Sequence, residues 1–385
     1  MIDFEPTEEE REVLEYLRRE GEVARRYARH YDENEHETAP DELPEAADFP
    51  GVGKVLAAKG LAPPAPTLLM LITAGVTWGD YAVRIRRRDE ALGNTALQAA
   101  GTPEQKEKWG HLLLAMAVTE PGCGSDPSMI TSRAVADGDE WVLNGEKIFV
   151  TTGLRAAGVV VWATVDPAAG RAGIKSFLIE KGTPGLLVTH KEKKLGIRAD
   201  DTTSIVLQDC RIPRGNLLGL EASPTGGFRG VLKTFNLSRP GVAAAGLGMA
   251  AAALDFTREK LREAGVEVVY GPALGGQPAV VEKLLHLEAT WEAAMLTVLR
   301  AAWLAGQRQP NNLEASISKA KAGTAVRQIT QGCIEILGPL GVSREHLLEK
   351  WFRDVRITDI YEGTGQIQQL IIARTLFGYT RKELS

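Results

Sequence analysis

The sequence predicts an α+β protein in which a β-rich region lies between two helical regions. Helical periodicity dominates residues 1–114, short strand-like runs occupy residues 115–222, and helical periodicity returns over residues 223–385. A length of 385 residues also exceeds what one ordinary core accommodates. We therefore expect an N-terminal α domain, a middle β domain and a C-terminal α domain with those boundaries.

Helix-start signals support the N-terminal α domain. Thr7 and Glu10 have the spacing of a capping box, in which each side chain bonds the other residue's backbone N–H. The run from Thr67 to Leu97 is predicted as a second long helical stretch. The segment Thr102-Pro103-Glu104-Gln105 combines an N-cap, a proline in the first turn and an acidic residue, and so predicts another helix start.

Turn pairs separate the strand candidates of the middle region. The strand candidates are residues 159–164, 176–179 and 204–207, which are rich in β-branched and aromatic side chains. The turn pairs are Asp137-Gly138, Asn144-Gly145 and Pro184-Gly185. Strands at this spacing, with no helical insertion, predict a small β-barrel or sandwich.

Two long amphipathic or alanine-rich runs predict the C-terminal helices. Residues 242–254 are alanine-rich, and residues 288–304 have helical periodicity. Within the first run, residues 246–251 match the letters GxGxxA of a dinucleotide-binding loop. No strand precedes them, so helix packing is the better interpretation.

Composition excludes several classes of function. The net charge of −5 and the sequence pI of about 5.8 give no basic excess for nucleic acid. The three cysteines form no CxxC pair, so neither a zinc site nor a redox disulfide is expected, and no metal is predicted. A leader-like start and a membrane-spanning run are not apparent, so a cytoplasmic protein without membrane attachment is expected.

Four ordered motifs then resemble those of the acyl-CoA dehydrogenase family. Residues 118–126, VTEPGCGSD, resemble its TEPGxGSD signature, and residues 144–151, NGEKIFVT, resemble its NGxKxWIT strand. Residues 195–198 (LGIR) and 210–213 (CRIP) resemble its LGxR and VP stretch. Residues 360–368, IYEGTGQIQ, are similar to IYEGTxxIQ. The motifs cover nearly the whole chain in the matching α-β-α order.

The resemblance implies a fold and an activity. The fold would be an N-terminal helical domain, a middle β-barrel domain and a C-terminal four-helix bundle. The activity would be FAD-dependent α,β-dehydrogenation of an acyl-CoA to the trans-2-enoyl thioester in fatty acid metabolism, with electrons passing to an electron-transferring flavoprotein. A homodimer or homotetramer is expected. An acyl-carrier-protein thioester in place of CoA, and an oxidase in place of a dehydrogenase, stay open.

Glu362 is the catalytic base that the resemblance implies. A carboxylate can remove a weakly acidic α-proton only in a dry site that stabilises the enolate. Glu362 stands between Tyr361 and Gly363 near an apolar helix start, and these two neighbours are assigned to substrate binding. The alternative is that Glu362 lies in the first turn of the following helix and interacts with its dipole.

Further site residues follow from the same resemblance. The flavin, which carries the redox chemistry, would be bound by Val118, Thr119, Ser125, Phe149, Thr151, Thr364, Gln366 and Gln277. Ser125 would also contact the substrate. The alternatives are that residues 121–126 form a plain turn, which glycine, proline and aspartate favour, and that Phe149 belongs to the core. The family usually has tryptophan at the position of Phe149.

Two arginines are candidate substrate-binding residues. Arg239 matches a family arginine near the active site, and a surface salt bridge is its alternative. Arg84 falls near the position of a carboxylate-binding arginine in glutaryl-CoA dehydrogenases, which suggests an acyl group with a polar end. A solvated basic helix face is the alternative for Arg84.

The sequence departs from the family where relatives bind the adenine half of FAD. Glu267 replaces an arginine that reaches a neighbouring subunit's cofactor, and Glu335 replaces a glutamine. An acid would repel a phosphate. Either other groups hold FAD, or a different subunit supplies the missing arginine in a hetero-oligomer. In the second case the chain is a non-catalytic or FAD-lending subunit.

Overall fold

The computed structural model describes residues 4–37, 49, 51–85, 91–219, 226–271, 276–379 and 383, without the side chains of residues 84–85 and 226–237. The chain forms two compact units. The helical unit contains Met1–Ile85, Leu195–Ala199 and Asn236–Ser385, and the sheet unit contains Arg86–Lys194 and Asp200–Phe235. The predicted order of helical, β-rich and helical regions is confirmed, while domain boundaries at 114 and 222 stay a prediction.

The helical unit is built from helices at both ends of the chain. Its N-terminal helices are α1 (Glu8–Glu33), α2 (Val52–Ala58), α3 (Pro66–Gly79) and α4 (Tyr81–Ile85). Its C-terminal helices are α7 (Gly226–Glu263, from Asn236 onward), α8 (Ala279–Gly306), α9 (Asn312–Leu337), α10 (Pro339–Val342), α11 (Leu348–Asp354) and α12 (Gly365–Phe377). A 3₁₀ segment, Val355–Asp359, lies between α11 and α12. The predicted capping box at Thr7 is confirmed, since Glu10 N donates to Thr7 Oγ1 and Thr7 N donates to Glu10 Oε2.

Close helix packing explains the small residues of α7. A Cβ at Gly248 would lie 2.1 Å from the Ala74 carbonyl oxygen of α3, and Thr77 Oγ1 of α3 donates to the Ala245 carbonyl at 2.9 Å. The GxGxxA letters therefore serve helix packing, as predicted. The segment Ser238–Glu263 has the length and mean hydropathy, 1.2, of a membrane span, but 78% of that apolar window is buried, as in a core helix.

The prediction of one helical stretch from Thr67 to Leu97 is wrong, because helix α3 ends at Gly79 and a separate helix, α4, begins at Tyr81. Asp80 ends α3 in an extended conformation, and its Oδ1 accepts a hydrogen bond from Val83 N at 2.8 Å, which starts α4. Asp80 Oδ2 also lies 2.6 Å from Lys350 Nζ, and Lys350 is shared with Asp354 at 2.6 Å. The buried charges of Asp80, Lys350 and Asp354 fix the start of α4. Lys350 and Asp354 are far from this helix along the chain.

Among the described residues before α7, the sheet unit carries two α-helices and one seven-stranded sheet. The helices are α5 (Leu92–Ala100) and α6 (Pro103–Trp109), and Thr102 caps α6 as predicted. The strands are β1 (Leu114–Ala117), β2 (Arg133–Asp137), β3 (Glu140–Val150), β4 (Gly158–Thr164), β5 (Ile174–Glu180), β6 (Leu186–Lys191) and β7 (Thr203–Pro213). Their order is β1-β4-β2-β3-β7-β6, with β5 paired to β4. The strand candidates at 159–164, 176–179 and 204–207 lie in β4, β5 and β7.

The Asn144-Gly145 pair is not a turn, contrary to the prediction. It lies inside β3, where the pairing with β7 shifts register between Leu143 and Gly145. The Asn144 side chain accepts from the Asp209 N–H at 2.8 Å, and Asp209 has a φ of 45°. A Cβ at Gly145 would lie 2.7 Å from the Cα of Ser132. Glycine is needed here because another chain segment passes close by, rather than because the chain reverses.

Candidate functional site

Glu362 lies in a tight turn of the helical unit, before α12 begins. Its φ is 55° and that of Gly363 is 91°, so both residues occupy the left-handed region. Thr364 is the N-cap of α12 and its side chain accepts from Ile367 N at 3.3 Å. Glu362 therefore lies two residues before the N-cap of α12 and does not belong to the first turn of that helix. A non-glycine residue at this φ is strained, as is common at functional sites.

Side chains from α7 surround the Glu362 carboxylate. Ser238 Oγ donates a hydrogen bond to Glu362 Oε2. Arg239, the next residue, is 5% exposed, so it is not the surface salt bridge of the alternative interpretation. Burial lowers the pKa of the Arg239 guanidinium, and the negative charge of Glu362 opposes this. Arg239 and Glu362 thus interact electrostatically within one unit, and a role of Arg239 in substrate binding stays a prediction.

The neighbours of Glu362 are fixed by residues that the sequence did not single out. The Tyr361 hydroxyl lies 2.8 Å from the Tyr81 hydroxyl of α4. Lys319 of α9 donates to the Gly363 carbonyl at 2.6 Å, and Gln368 of α12 donates to the same carbonyl at 3.1 Å. A lysine inside a helical run was the available signal for Lys319.

The predicted flavin-contacting backbone at Val118 and Thr119 is held by an ion pair of the sheet unit. Lys147 Nζ donates to the Val118 carbonyl at 3.2 Å and lies 2.7 Å from Glu120 Oε1. The Thr119 carbonyl accepts from Ile148 N at 2.9 Å. The segment is therefore fastened to β3 on both sides of Thr119, which gives it one orientation.

The Glu120–Lys147 pair is almost completely buried and strongly coupled to its surroundings. Burial alone would raise the pKa of Glu120, but Lys147 and hydrogen bonds from Ser132 and Thr131 lower it to about 2. The Thr131 N–H and hydroxyl donate at 2.7 and 2.6 Å, and the Ser132 N–H donates at 3.0 Å. Glu120 is thus a structural anion that holds the loop of residues 118–126, the signature loop, and its role was not predicted.

Phe149 is displayed on the surface of the sheet unit. Between Lys147 and Val150 the pairing of β3 with β7 shifts register, and Phe149 within this bulge has a φ of 57°. Its side chain is 60% exposed, so Phe149 is not a core residue of this unit. Strained backbone conformations and bulges are common beside functional sites, and an exposed aromatic ring offers a surface for a ligand. Thr151, two residues on, is half-buried.

The signature loop contains a tight turn that further hydrogen bonds hold in place. Glu120 and Cys123 exchange backbone hydrogen bonds at 3.0 Å, and Cys123 Sγ donates to the Asp126 carbonyl at 3.0 Å. The Asp126 carboxylate accepts from the Ser128 N–H and hydroxyl and lies 3.4 Å from Arg171. Ser125 is exposed on this ordered loop.

The predicted site residues fall into a group in each unit. Glu362, Tyr361, Gly363, Thr364 and Arg239 come together around one turn of the helical unit. Val118, Thr119, Ser125, Phe149 and Thr151 lie on or beside the signature loop and the bulge of β3 in the sheet unit.

The remaining predicted residues have separate positions. Gln366 is exposed on α12. Gln277 donates to the Val269 carbonyl at 3.2 Å. The side chain of Arg84, which lies in α4, is outside the described part of the chain.

Glu335 and Glu267, the two acidic residues that replace family residues, have different surroundings. Glu335 is paired with Lys283, and it accepts from Gln331 at 2.9 Å. Lys283 and Gln331 lower the pKa of the Glu335 carboxyl. Lys283 therefore offsets the negative charge of Glu335. Glu267 is exposed.

The residues of the sheet unit fit a flavin ring system. An exposed aromatic ring, a backbone segment held in one orientation and hydroxyl side chains are the groups expected at such a site. The residues that would hold FAD in this unit are Val118, Thr119, Ser125, Phe149 and Thr151.

Comparison with known proteins identifies a family and its relatives. Models of the acyl-CoA dehydrogenase middle domain and C-terminal domain match residues 115–210 and 225–377. The chain is 40% identical over 281 residues to the mitochondrial short-chain specific acyl-CoA dehydrogenase of Bos taurus, covering 71% of this chain and 66% of that protein. It is 31% identical over 381 residues to the short-chain specific acyl-CoA dehydrogenase of Clostridium acetobutylicum, covering 94% and 99%.

The fold is also similar to that of a solved relative. Butyryl-CoA dehydrogenase from Megasphaera elsdenii matches with a TM-score of 0.84 at 30% identity, covering 98% of this chain and 100% of that chain.

Proposed function

Because the chain belongs to the acyl-CoA dehydrogenase family and is therefore an FAD-dependent oxidoreductase, we propose that it converts an acyl-CoA to the trans-2-enoyl-CoA with Glu362 as the base. The observation that carries the proposal is the strained turn that directs the Glu362 carboxylate towards Ser238 and Arg239. FAD, when bound, supplies the hydride acceptor.

The residues around Glu362 prepare it for proton abstraction. The Ser238 hydroxyl holds the carboxylate in one orientation, and Arg239 is a buried cation close enough to be perturbed by its charge. A base must be ionised before it accepts a proton, and nearby positive charge favours the ionised form. During the reaction the Cα–H electron pair stays with the substrate, and the proton passes to the Glu362 carboxylate. The Glu362 N–H would donate to the thioester oxygen as negative charge develops there.

The proposal extends to substrate and partner. A short-chain acyl group is proposed because both curated relatives and the solved relative carry short-chain or butyryl names. A substrate with a charged end, recognised by Arg84, is the competing proposal. An electron-transferring flavoprotein is proposed as the electron acceptor, and a homo-oligomer as the assembly. A cytoplasmic location also stays a proposal.

An anaerobic absorbance titration tests the function. The purified holoprotein is titrated with short-chain, long-chain and ω-carboxylated acyl-CoAs, beside Glu362→Gln and the exposed control Glu345→Gln. We expect the wild type and the control to lose flavin absorbance with a short-chain acyl-CoA. Glu362→Gln should bind the thioester with a spectral perturbation but without reduction. Reduction by Glu362→Gln at the wild-type rate would refute the assignment of the base.

The same preparation tests the non-catalytic alternative, which the acidic Glu267 favours. A stoichiometric FAD content in the chain expressed alone would exclude an obligatory partner that completes the cofactor site. A colourless protein that gains FAD only with a second subunit would support that alternative.

A further inference from the structure

Lys319 is a buried lysine in direct contact with the turn that carries Glu362. It lies in α9 and has 0% of its surface exposed, whereas lysines are almost never fully buried unless paired. Its Nζ donates to the Gly363 carbonyl at 2.6 Å. Its charge has thus been removed from water to reach a main-chain oxygen next to the proposed base, which is a costly arrangement for a purely structural contact.

The charged groups facing Lys319 come from three other elements. Asp359 lies at the end of the 3₁₀ segment, Glu362 in the turn and Arg239 in α7. Burial lowers the pKa of Lys319 to about 8, Asp359 and Glu362 oppose that change, and Arg239 adds to it. Asp359 is itself 3.6 Å from Arg327 of α9. Lys319 is therefore part of a set of two acidic and three basic side chains around one turn, in which Lys319 and Arg239 are buried and Asp359, Glu362 and Arg327 are partly exposed.

The polar groups next to the carboxylate complete this environment. Ser238 donates to the Glu362 carboxylate, and the hydroxyls of Tyr81 and Tyr361 lie 2.8 Å apart. Hydroxyl groups therefore lie beside the charged groups at this turn.

The turn needs external support because its backbone is strained. The left-handed φ of Glu362 costs about 1–2 kcal/mol relative to a helical or extended backbone. Gln368 Nε2 donates to the carbonyls of Glu362 and Gly363 at 3.3 and 3.1 Å. Lys319 donates to the Gly363 carbonyl at the shorter distance of 2.6 Å. Such conformations persist only where several contacts determine them together.

We propose that Lys319 is a positioning residue for Glu362, holding the Gly363 carbonyl so that the turn directs the carboxylate, and placing a positive charge that opposes protonation of the resting base. The inference rests on the proposed function of Glu362. It predicts two separable effects, one from the hydrogen bond and one from the charge.

Four variants of the holoenzyme separate the two effects. Lys319→Met removes both the hydrogen bond and the charge, Lys319→Gln retains a donor without charge, and Lys319→Arg retains both. Lys321→Gln is the matched control, because Lys321 lies on the same helix and is exposed. The rate of anaerobic flavin reduction by butyryl-CoA is followed by stopped-flow absorbance from pH 5.5 to 9, and the binding of a non-reacting CoA thioether is measured separately.

We expect Lys319→Met to slow flavin reduction by about 10- to 100-fold, the range in which a misplaced catalytic group costs rate. Thioether affinity should change by less than about threefold, since the base acts after binding. The acid limb of the pH–rate profile should move to higher pH in Lys319→Met and Lys319→Gln. Lys319→Arg should recover most of the rate, and Lys321→Gln should match the wild type.

Hydrogen exchange gives a readout that does not depend on turnover. Peptides covering residues 360–368 should exchange faster in Lys319→Met than in Lys321→Gln. Unchanged exchange and an unmoved acid limb in Lys319→Met would overturn the inference, as would an equal loss of thioether binding and rate in Lys319→Arg. Failure of the proposed function would give a different result. The wild type would then not reduce its flavin, or Glu362→Gln would reduce it at the wild-type rate, while hydrogen exchange in the turn would still increase in Lys319→Met.

Discussion

Removal of Lys147 should destabilise the sheet unit and loosen its proposed flavin site. In Lys147→Met the Glu120 carboxylate stays buried, with the three donors from Thr131 and Ser132 but without its cation. Breaking a buried ion pair on one side costs about 3–5 kcal/mol, because it leaves an uncompensated charge. The Val118 carbonyl also loses its hydrogen bond from Lys147, so FAD affinity should fall as well.

The pKa of Glu120 supplies a second estimate of this magnitude. Folding lowers that pKa from 4.5 to about 2. At 1.36 kcal/mol for each pKa unit, the ionised Glu120 contributes about 3 kcal/mol of folding stability. Because the pKa is depressed, this contribution is complete above pH 4.5 and is lost as the pH falls towards 2. The difference between wild type and Lys147→Met should therefore be greatest near neutral pH and should shrink over that acidic range.

Urea unfolding of the apoprotein, followed by far-UV circular dichroism at pH 7, 4.5 and 3, measures the difference. Arg211→Met is the control, because Arg211 pairs with Asp137 and Glu140 on the exposed face of the same sheet, where solvent screens the charges. Its unfolding midpoint should hardly change. The reasoning fails if Lys147→Met unfolds at the midpoint of the control at pH 7, or if its deficit is the same at all three pH values.

Three further predictions test packing, the β3 bulge and the buried lysine. Gly248→Ala should lower the free energy of unfolding by about 3 kcal/mol, because the added Cβ would lie 2.1 Å from a carbonyl oxygen. Gly241→Ala on the same helix adds its Cβ to open space and should raise the free energy of unfolding by about 0.5–1 kcal/mol. Thermal or urea unfolding measures both changes. The free energy of unfolding of the Phe149→Gly apoprotein should exceed that of Phe149→Ala by about 1 kcal/mol, because glycine accepts a φ of 57°. Both variants should bind FAD more weakly than the wild type in a fluorescence titration. Folding lowers the pKa of Lys319 from 10.5 to about 8, so between these pH values the unfolded state binds one more proton than the folded state. The free energy of unfolding of the wild type should therefore rise by about 3 kcal/mol from pH 8 to 10.5, relative to that of Lys319→Met.

The elements that the sequence predicted well depend on neighbours close along the chain. The capping box at Thr7, the N-cap at Thr102 and the strand runs in β4, β5 and β7 were all recovered in the structure. A cap involves residues three positions apart, and a strand run has a period of two. Both patterns can be detected in a single sequence without knowing what packs against them.

The errors occurred where a distant segment decides the local conformation. Asn144-Gly145 has the composition of a hairpin turn, but the approach of Ser132 and the bulge at Asp209 place it inside β3. The helical periodicity from Thr67 continues through Asp80, yet Lys350 attracts the Asp80 carboxylate and the helix ends there. Local propensity is a weak preference that such tertiary contacts override.

The sequence alone determined the family, the order of its helical and β-rich regions, and the identity of Glu362 as the candidate base. Only the tertiary structure revealed how that base is held: by Ser238, which is 124 residues away, and by Lys319, which contacts Gly363 from 44 residues away. The physical reason is that burial and hydrogen-bond partners depend on folding. The effect of a charge depends on its surroundings. The sequence pattern of a helix does not show whether a lysine in it is hydrated or is buried and donates to a carbonyl oxygen.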